Sequence, residues 1–277
     1  MPLDDGPSLS EVIKGFSAVV LTGGSSGIGK SFIKLMGKVQ PALLICNLSR
    51  RSPDMISEEL NLRHVPCDFC QSSQIESGVE SILSMLNREE PEGRVLLINN
   101  SGYGSYGRFL EADLGNELGI LEVNIRALVE VTGRLLPTLK ARGGAIINIA
   151  STAAFQPTPF MATYGASKAF VLHWSLALRE ELRGSGVHVL AVCPGPTSTG
   201  FGTRAGVKSD SVPGGVGHTP DDVVKISLRA LAARRSLVVC GWKNRLVATF
   251  ASLLPKTWIA NIAARIIGRV KPAEGKA

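Results

Sequence analysis

The chain has 277 residues, 44% apolar and 19% charged, which is enough to bury a large core and too apolar for a disordered chain. Its 30 glycines follow no three-residue period, excluding a collagen-like chain, and five cysteines exclude a disulfide framework and suit a reducing cytosol. The formal charge of +7 is uneven: residues 225–277 carry eleven Lys/Arg against one acid, Glu274, a net +10, while residues 1–224 sum to −3 and hold no basic patch with interleaved aromatics for nucleic acid.

The first ten residues are polar and acidic, without the basic and apolar regions of a secretory leader. A strand over residues 18–21 runs through a glycine-rich turn into a helix over 26–39. Strands follow at 43–48 and, more weakly, at 64–66, then a helix over 71–87 and a strand at 95–99. Residues 116–142 read as one long helix, with Leu118, Leu121, Ile125, Leu128, Val129 and Leu135 near one face. A strand at 145–150 precedes a helix over 160–183, which Gly184 and Gly186 terminate. The strand at 187–193 is stopped by Pro194-Gly195-Pro196, and a helix at 221–235 and a strand at 236–239 close the series. Apolar strands alternating with helices predict an α/β chain: a doubly wound parallel sheet with helices on both faces. One catalytic domain is expected over 1–240, and a basic amphipathic helical extension over 241–277.

The turn reads Thr22-Gly23-Gly24-Ser25-Ser26-Gly27-Ile28-Gly29. Glycines let the backbone turn sharply and let a pyrophosphate approach, and the helix N-terminus offers it N–H groups. The second strand ends Asn47-Leu48-Ser49-Arg50-Arg51, without the acid that holds a ribose 2′-hydroxyl. A hydroxyl and two guanidiniums suit a 2′-phosphate instead. Ser151 follows a strand directly, at the sheet edge where such folds bind ligands. Tyr164 and Lys168 share a helical face at i and i+4. A phenol can donate the proton that a carbonyl oxygen needs on accepting hydride, and a nearby ammonium is expected to lower the Tyr164 pKa.

The glycine spacing, Asn99-Asn100-Ser101-Gly102, the Ser151 position, Tyr-Gly-Ala-Ser-Lys at 164–168 and Pro194–Thr199 together resemble the short-chain dehydrogenase/reductase family over residues 17–199. The stretch from Ser151 to Phe170 also resembles its bacterial DltE-like or acyl-reductase-like subgroup. The resemblance implies a Rossmann-like fold and a tetrad of Asn124, Ser151, Tyr164 and Lys168. In it Tyr164 is the acid/base, Ser151 orients the substrate oxygen, and Lys168 holds the nicotinamide ribose. The Asn124 backbone carbonyl holds a water linking Lys168 to solvent. The resemblance further implies NADP as cofactor, on Gly23, Ser25, Ser26, Gly27, Ile28 and Gly29. Ser49 and Arg50 would meet its 2′-phosphate, Asp68 the adenine, Asn100 the ribose, and Thr197 and Thr199 the carboxamide. It implies a homodimer or homotetramer. Cys67 and Cys70 with His64 form a lone CxxC, and no metal is expected. His64, His173, His188 and His218 match no family role.

The glycine-rich segment 200–219 is expected to act as a lid. Tyr103, Tyr106, Phe109, Phe155, Phe160 and Met161 follow the two site motifs; if they line the pocket, the carbonyl substrate is lipophilic, an acyl thioester or another apolar carbonyl. The expected activity is NADP(H)-dependent carbonyl reduction or the reverse alcohol oxidation, in the cytoplasm. The alternative is a cofactor-sensing or scaffold protein without turnover, and an epimerase or dehydratase would carry TGxxGxxG. In the tail, Trp258, Ile259, Ile262, Ala263, Ile266, Ile267 and Val270 form an apolar stripe after Pro255. That helix packs on its own domain or a second subunit, lies on an anionic membrane, or docks an acidic carrier protein. No uninterrupted run of about 18 apolar residues occurs.

Overall fold

A computed structural model describes residues 8–54, 60–88, 93–206 and 217–269. In chain order it holds α1 (Leu9–Lys14), β1 (Ala18–Thr22), α2 (Gly27–Val39), β2 (Leu44–Ser49), β3 (Leu62–Pro66), α3 (Ser72–Arg88) and β4 (Val95–Asn99). Then come α4 (Leu114–Leu121), α5 (Ala127–Arg142), β5 (Gly144–Ile149), α6 (Ala162–Glu181), β6 (Val187–Cys193), α7 (Phe201–Ala205), α8 (Pro220–Ala232) and β7 (Leu237–Val239). The tail forms α9 (Trp242–Leu253) and α10 (Lys256–Ile267).

The strands form one parallel sheet in the order β3-β2-β1-β4-β5-β6-β7. Because strand side chains alternate, each strand feeds two cores. Val19, Leu21, Ile45, Leu96, Ile98, Ile147 and Leu190 join the helices α1, α2 and α8 on one face. Ala18, Val20, Leu44, Leu48, Leu97, Ile146 and Val189 join α3, α5 and α6 on the other. This two-sided burial is why the strands read as continuous apolar runs rather than alternating ones. The order reverses at β1, which β2 and β4 flank, so the strand ends Thr22, Ser49 and Asn99 open one crevice.

Beneath that crevice runs a buried amide ladder. Asn99 Nδ2 donates to Thr132 Oγ1 at 2.9 Å and to Asn148 Oδ1 at 2.8 Å, and Asn148 Nδ2 donates to Ser175 Oγ at 2.8 Å. It ties β4 and β5 to α5 and α6 at the level of the site.

Three elements depart from the sequence expectation. α1 is additional: Ser8 and Glu11 form a reciprocal capping box, and Ile13 is buried. The single helix expected over 116–142 starts at Leu114 and passes through a π-helical turn, Glu122–Arg126. The helix expected from residue 160 starts at Ala162, because Phe160 takes a φ of +66° that no helix accommodates. Of the proposed lid, residues 207–216 lie outside the described residues, and Phe201–Ala205 is helical rather than loose.

Candidate active site

The glycine turn is held from three sides. Asn47 Oδ1, buried in β2, accepts the Gly24 N–H at 2.8 Å. Asn100 Nδ2 donates to the carbonyls of Thr22 and Gly23, both at 3.0 Å. Thr22 Oγ1 accepts the N–H groups of Asn100 and Ser101, each at 3.0 Å. Gly23 and Gly27 have φ of +76° and +55°, the left-handed region that glycine enters without strain. A Cβ on Gly29 would stand 2.3 Å from the Gly23 carbonyl oxygen, so only glycine lets the helix start this close to the turn. No side chain caps α2, so its first-turn N–H groups remain available to an anion. Ser25, Ser26 and Ile28 are half-buried around this opening, and the Thr199 side chain lies across it, 3.3 Å from where a Gly27 Cβ would be. These residues fit a nicotinamide dinucleotide: a bare backbone concavity, a helix N-terminus and strand ends on both sides.

At the adenosine end, Arg50 and Arg51 are exposed. Ser49 is buried, and its hydroxyl accepts from Asn47 Nδ2 at 2.9 Å and donates to the Arg51 carbonyl at 2.7 Å, so it fixes the turn that displays the arginines. Lys30, one turn into α2, reaches the same turn and pairs with Asp54 at 3.5 Å. Asp68 Oδ1 accepts the Cys70 N–H at 3.1 Å, and its own N–H donates to Gln74 Oε1, which shapes the turn before α3.

Ser151 is anchored against β6: the Ala150 N–H donates to the Val192 carbonyl and the Thr152 N–H to the Pro194 carbonyl. Its hydroxyl accepts the Ala153 N–H at 3.1 Å and acts on the Tyr164 phenol to lower its pKa. Tyr164 sits in the first turn of α6, enclosed by the backbone at Gly104 and by the Phe201 ring, with centroids 5.1 Å apart. Lys168, one turn on, is buried and donates from Nζ to the Ile149 carbonyl at 2.8 Å. Asn124 lies in the π-helical turn, a feature common at functional sites. Its side chain clamps the loop after β4, accepting the Tyr103 N–H and donating to the Tyr103 carbonyl, both at 3.0 Å. It also donates to Ser167 Oγ at 2.9 Å, which ties the loop and the turn to α6. The four residues thus converge on one sheet edge. Thr197 is held there by a bridge to His218, with its hydroxyl donating to the Gly195 carbonyl. Thr199 Oγ1 accepts the Phe201 N–H.

The electrostatics correct one expectation. Burial pushes Tyr164 up to about 12 against the opposing effect of the Ser151 hydrogen bond, and it pushes Lys168 down to about 8. The Lys168 ammonium lies 6.0 Å from the ring centroid and donates to the Ile149 carbonyl, and burial sets the direction of the Tyr164 shift. Tyr164 therefore stays protonated across the neutral range.

Of the six aromatic and Met residues expected at the pocket, Tyr106 and Phe160 meet near Tyr164, with rings 6.1 Å apart. Tyr103 turns away and donates to the Asn116 carbonyl, and Phe109 is largely exposed. Phe201 joins this rim and was not expected; its only sequence signal is its place after Thr199. Asn47 and Thr22 were not assigned either; a polar amide inside an apolar strand was the signal for the first. His64 and His188 have structural partners in Asn47 Nδ2 and the Arg235 carbonyl.

A family model for short chain dehydrogenases matches residues 17–209. A ketoacyl reductase, HetN, from a Nostoc species is 31% identical over 231 residues, covering 80% of this chain and 77% of that protein. Dehydrogenase/reductase SDR family member 7B from Xenopus laevis is 28% identical over 275 residues, 92% of this chain and 83% of its own. A short-chain dehydrogenase from Sphingobium yanoikuyae, solved in complex with NADPH, superposes with a TM-score of 0.71 at 26% identity, over 85% of this chain and 92% of that one. With its glycine turn, Ser151, Tyr164 and Lys168 at one sheet edge, the chain belongs to the short-chain dehydrogenase family and is an oxidoreductase built on a nucleotide-binding Rossmann-like sheet.

Proposed function

We propose that the protein reduces the carbonyl of a lipophilic or acyl-type substrate with NADPH, or oxidises the corresponding alcohol with NADP. The observation that carries this reading is the buried Tyr164 phenol, within the influence of the Ser151 hydroxyl and one helical turn from the buried Lys168. The nicotinamide, when bound, supplies or accepts the hydride. Tyr164 donates the proton to the carbonyl oxygen, which Ser151 orients through its hydroxyl. Lys168, fixed by the Ile149 carbonyl, would hold the nicotinamide ribose and would return a proton to the phenol by way of a water at the Asn124 carbonyl. Asn100, Thr197 and Thr199 would hold the rest of the cofactor, and Asp68 would meet its adenine.

Arg50 supports NADP over NAD, since no acid stands at the end of β2 to receive a 2′-hydroxyl. The apolar rim of Tyr106, Phe160 and Phe201 supports a lipophilic substrate, as does the similarity to a ketoacyl reductase. A cytoplasmic homodimer or homotetramer fits the reducing composition and the family. The test is NADPH oxidation across acyl thioesters, ring ketones and aldehydes. Turnover on long acyl or ring substrates is the expected result. Tight NADPH binding without turnover on any carbonyl would replace the reductase with a cofactor sensor.

A further inference from the structure

The two tail helices are turned inside out. In α9 the buried face is made of small residues, Ala248 and Ala251, with half-buried Asn244 beside them. On the opposite face Trp242, Leu246, Phe250 and Leu253 recur at i, i+4, i+8 and i+11 and are 70%, 50%, 62% and 75% exposed. In α10, Ile259 and Ala263 point inward, while Trp258, Ile262 and Ile266, at i, i+4 and i+8, are 65%, 50% and 48% exposed. The stripe expected from the sequence thus splits into an inward and an outward face, and its Val270 lies outside the described residues. A surface helix ordinarily buries its large apolar residues and shows its small and polar ones. Two successive helices that do the reverse present an apolar surface that calls for a partner.

Charge selects the partner. No Asp or Glu occurs from residue 223 to 273, and Lys243, Arg245, Arg265 and Arg269 stand exposed beside the stripes. A self-complementary contact with a second copy would bring these like charges together with no acid in the tail to offset them. An anionic lipid surface satisfies both features at once, taking the apolar stripes into its acyl boundary and the cations at its headgroups. Each stripe carries a tryptophan, the residue suited to headgroup depth. No described helix is long and apolar enough to cross a membrane, so the helices would lie in the interface. We infer that α9 and α10 form a docking surface for an anionic membrane.

The inward faces connect this surface to the site. Lys256 Nζ donates to the Phe155 carbonyl at 3.2 Å, in the segment after Ser151. Tyr106 Oη donates to the Ile267 carbonyl at 2.9 Å, and Gly268 lies against the Phe160 ring. The same helices that would meet lipid therefore brace the pocket rim, so a lipophilic substrate could pass from membrane to pocket. That last step rests on the proposed reductase function, whereas the docking does not.

The test uses the full chain in sedimentation with vesicles of phosphatidylglycerol and phosphatidylcholine, against vesicles of phosphatidylcholine alone. Binding to the anionic vesicles is expected to be at least about tenfold stronger, to weaken as salt is raised, and to shift tryptophan emission to the blue. The triple variant Leu246→Ser/Phe250→Ser/Ile262→Ser and the variant Lys243→Glu/Arg245→Glu/Arg265→Glu should each lose about tenfold, with unchanged far-UV spectra. NADPH oxidation on a short soluble carbonyl, run in parallel, should be unaffected, so a failed reductase and a failed docking surface give different results. Equal binding to neutral and anionic vesicles, or none to either, overturns the inference. So does a serine variant that dissociates an oligomer while vesicle binding stays the same. Capture of an acidic carrier protein without vesicle binding would assign the surface to that partner instead.

Discussion

Lys168 Nζ donates to the Ile149 carbonyl at 2.8 Å, from a helix to the last residue of β5 and two residues before Ser151. The bond fixes the ammonium at the strand end but leaves it buried, and burial pushes its pKa down to about 8. Between about 8 and the ordinary lysine value near 10.5, the unfolded chain binds a proton that the native state has released, so stability rises with pH in that window. Below it, the buried charge destabilises the native state. Replacing Lys168 by Met is therefore expected to abolish turnover yet raise stability at pH 7 by about 2 kcal/mol, the relieved desolvation less one lost hydrogen bond. Denaturant unfolding at pH 7 and pH 10 checks this. The gain should shrink at the higher pH, and a variant less stable at both would refute the buried-charge account.

Tyr164→Phe keeps the ring that packs on Gly104 and Phe201 and removes only the hydroxyl. The expected result is a normal thermal transition, near-normal NADPH affinity and a loss of about 10²–10⁴-fold in kcat. Retention of half the wild-type rate at saturating substrate would mean that another group delivers the proton.

Cofactor choice is expected to follow Arg50. A hydrogen bond from a guanidinium to a 2′-phosphate contributes about 1.5–3 kcal/mol, equivalent to roughly 10- to 150-fold in affinity. NADPH should be preferred by that order, and Arg50→Asp should reverse the preference. Equal use of NADPH and NADH by the wild-type enzyme contradicts the assignment.

Gly29→Ala tests the cradle. Its Cβ would stand 2.3 Å from the Gly23 carbonyl oxygen and 2.6 Å from Asn100 Nδ2, so the turn or the helix start must shift. A stability loss of about 1–3 kcal/mol is expected, with a rise in the cofactor KM of about tenfold or more. Gly133→Ala, where a Cβ meets nothing within 4 Å, serves as the control and should leave cofactor binding unchanged.

Much of this was legible from residues. Strands buried on both faces announce themselves as unbroken apolar runs, and the glycine turn and the Tyr164–Lys168 spacing mark a site at their ends. What stayed hidden depends on three-dimensional context. The π-helical turn at Asn124 leaves no periodic trace, because one added residue per turn is smaller than the scatter of apolar positions. The tail stripe was visible as apolar, but which of its residues face inward is decided by the loops it packs on. The Tyr164 pKa could not be read from a neighbouring lysine, because burial sets its direction. The capping box at Ser8 and Glu11 is legible in the residues, but the helix that it starts is only six residues long and too short to show an apolar period.

The Thr22 hydroxyl and the Asn100 backbone that it receives are 78 residues apart in the chain. During synthesis the glycine turn is thus exported long before the residues that hold it. The segment through β3 could pair β1 with β2, but it would leave the other edge of β1 bare and the turn without Asn100. Parallel pairings of this span close slowly, because a long loop must be ordered before the contact rewards it. The nascent enzyme therefore passes through a stage with an exposed apolar strand edge and no grip on nucleotide, and the arrival of β4 ends both conditions in the same event.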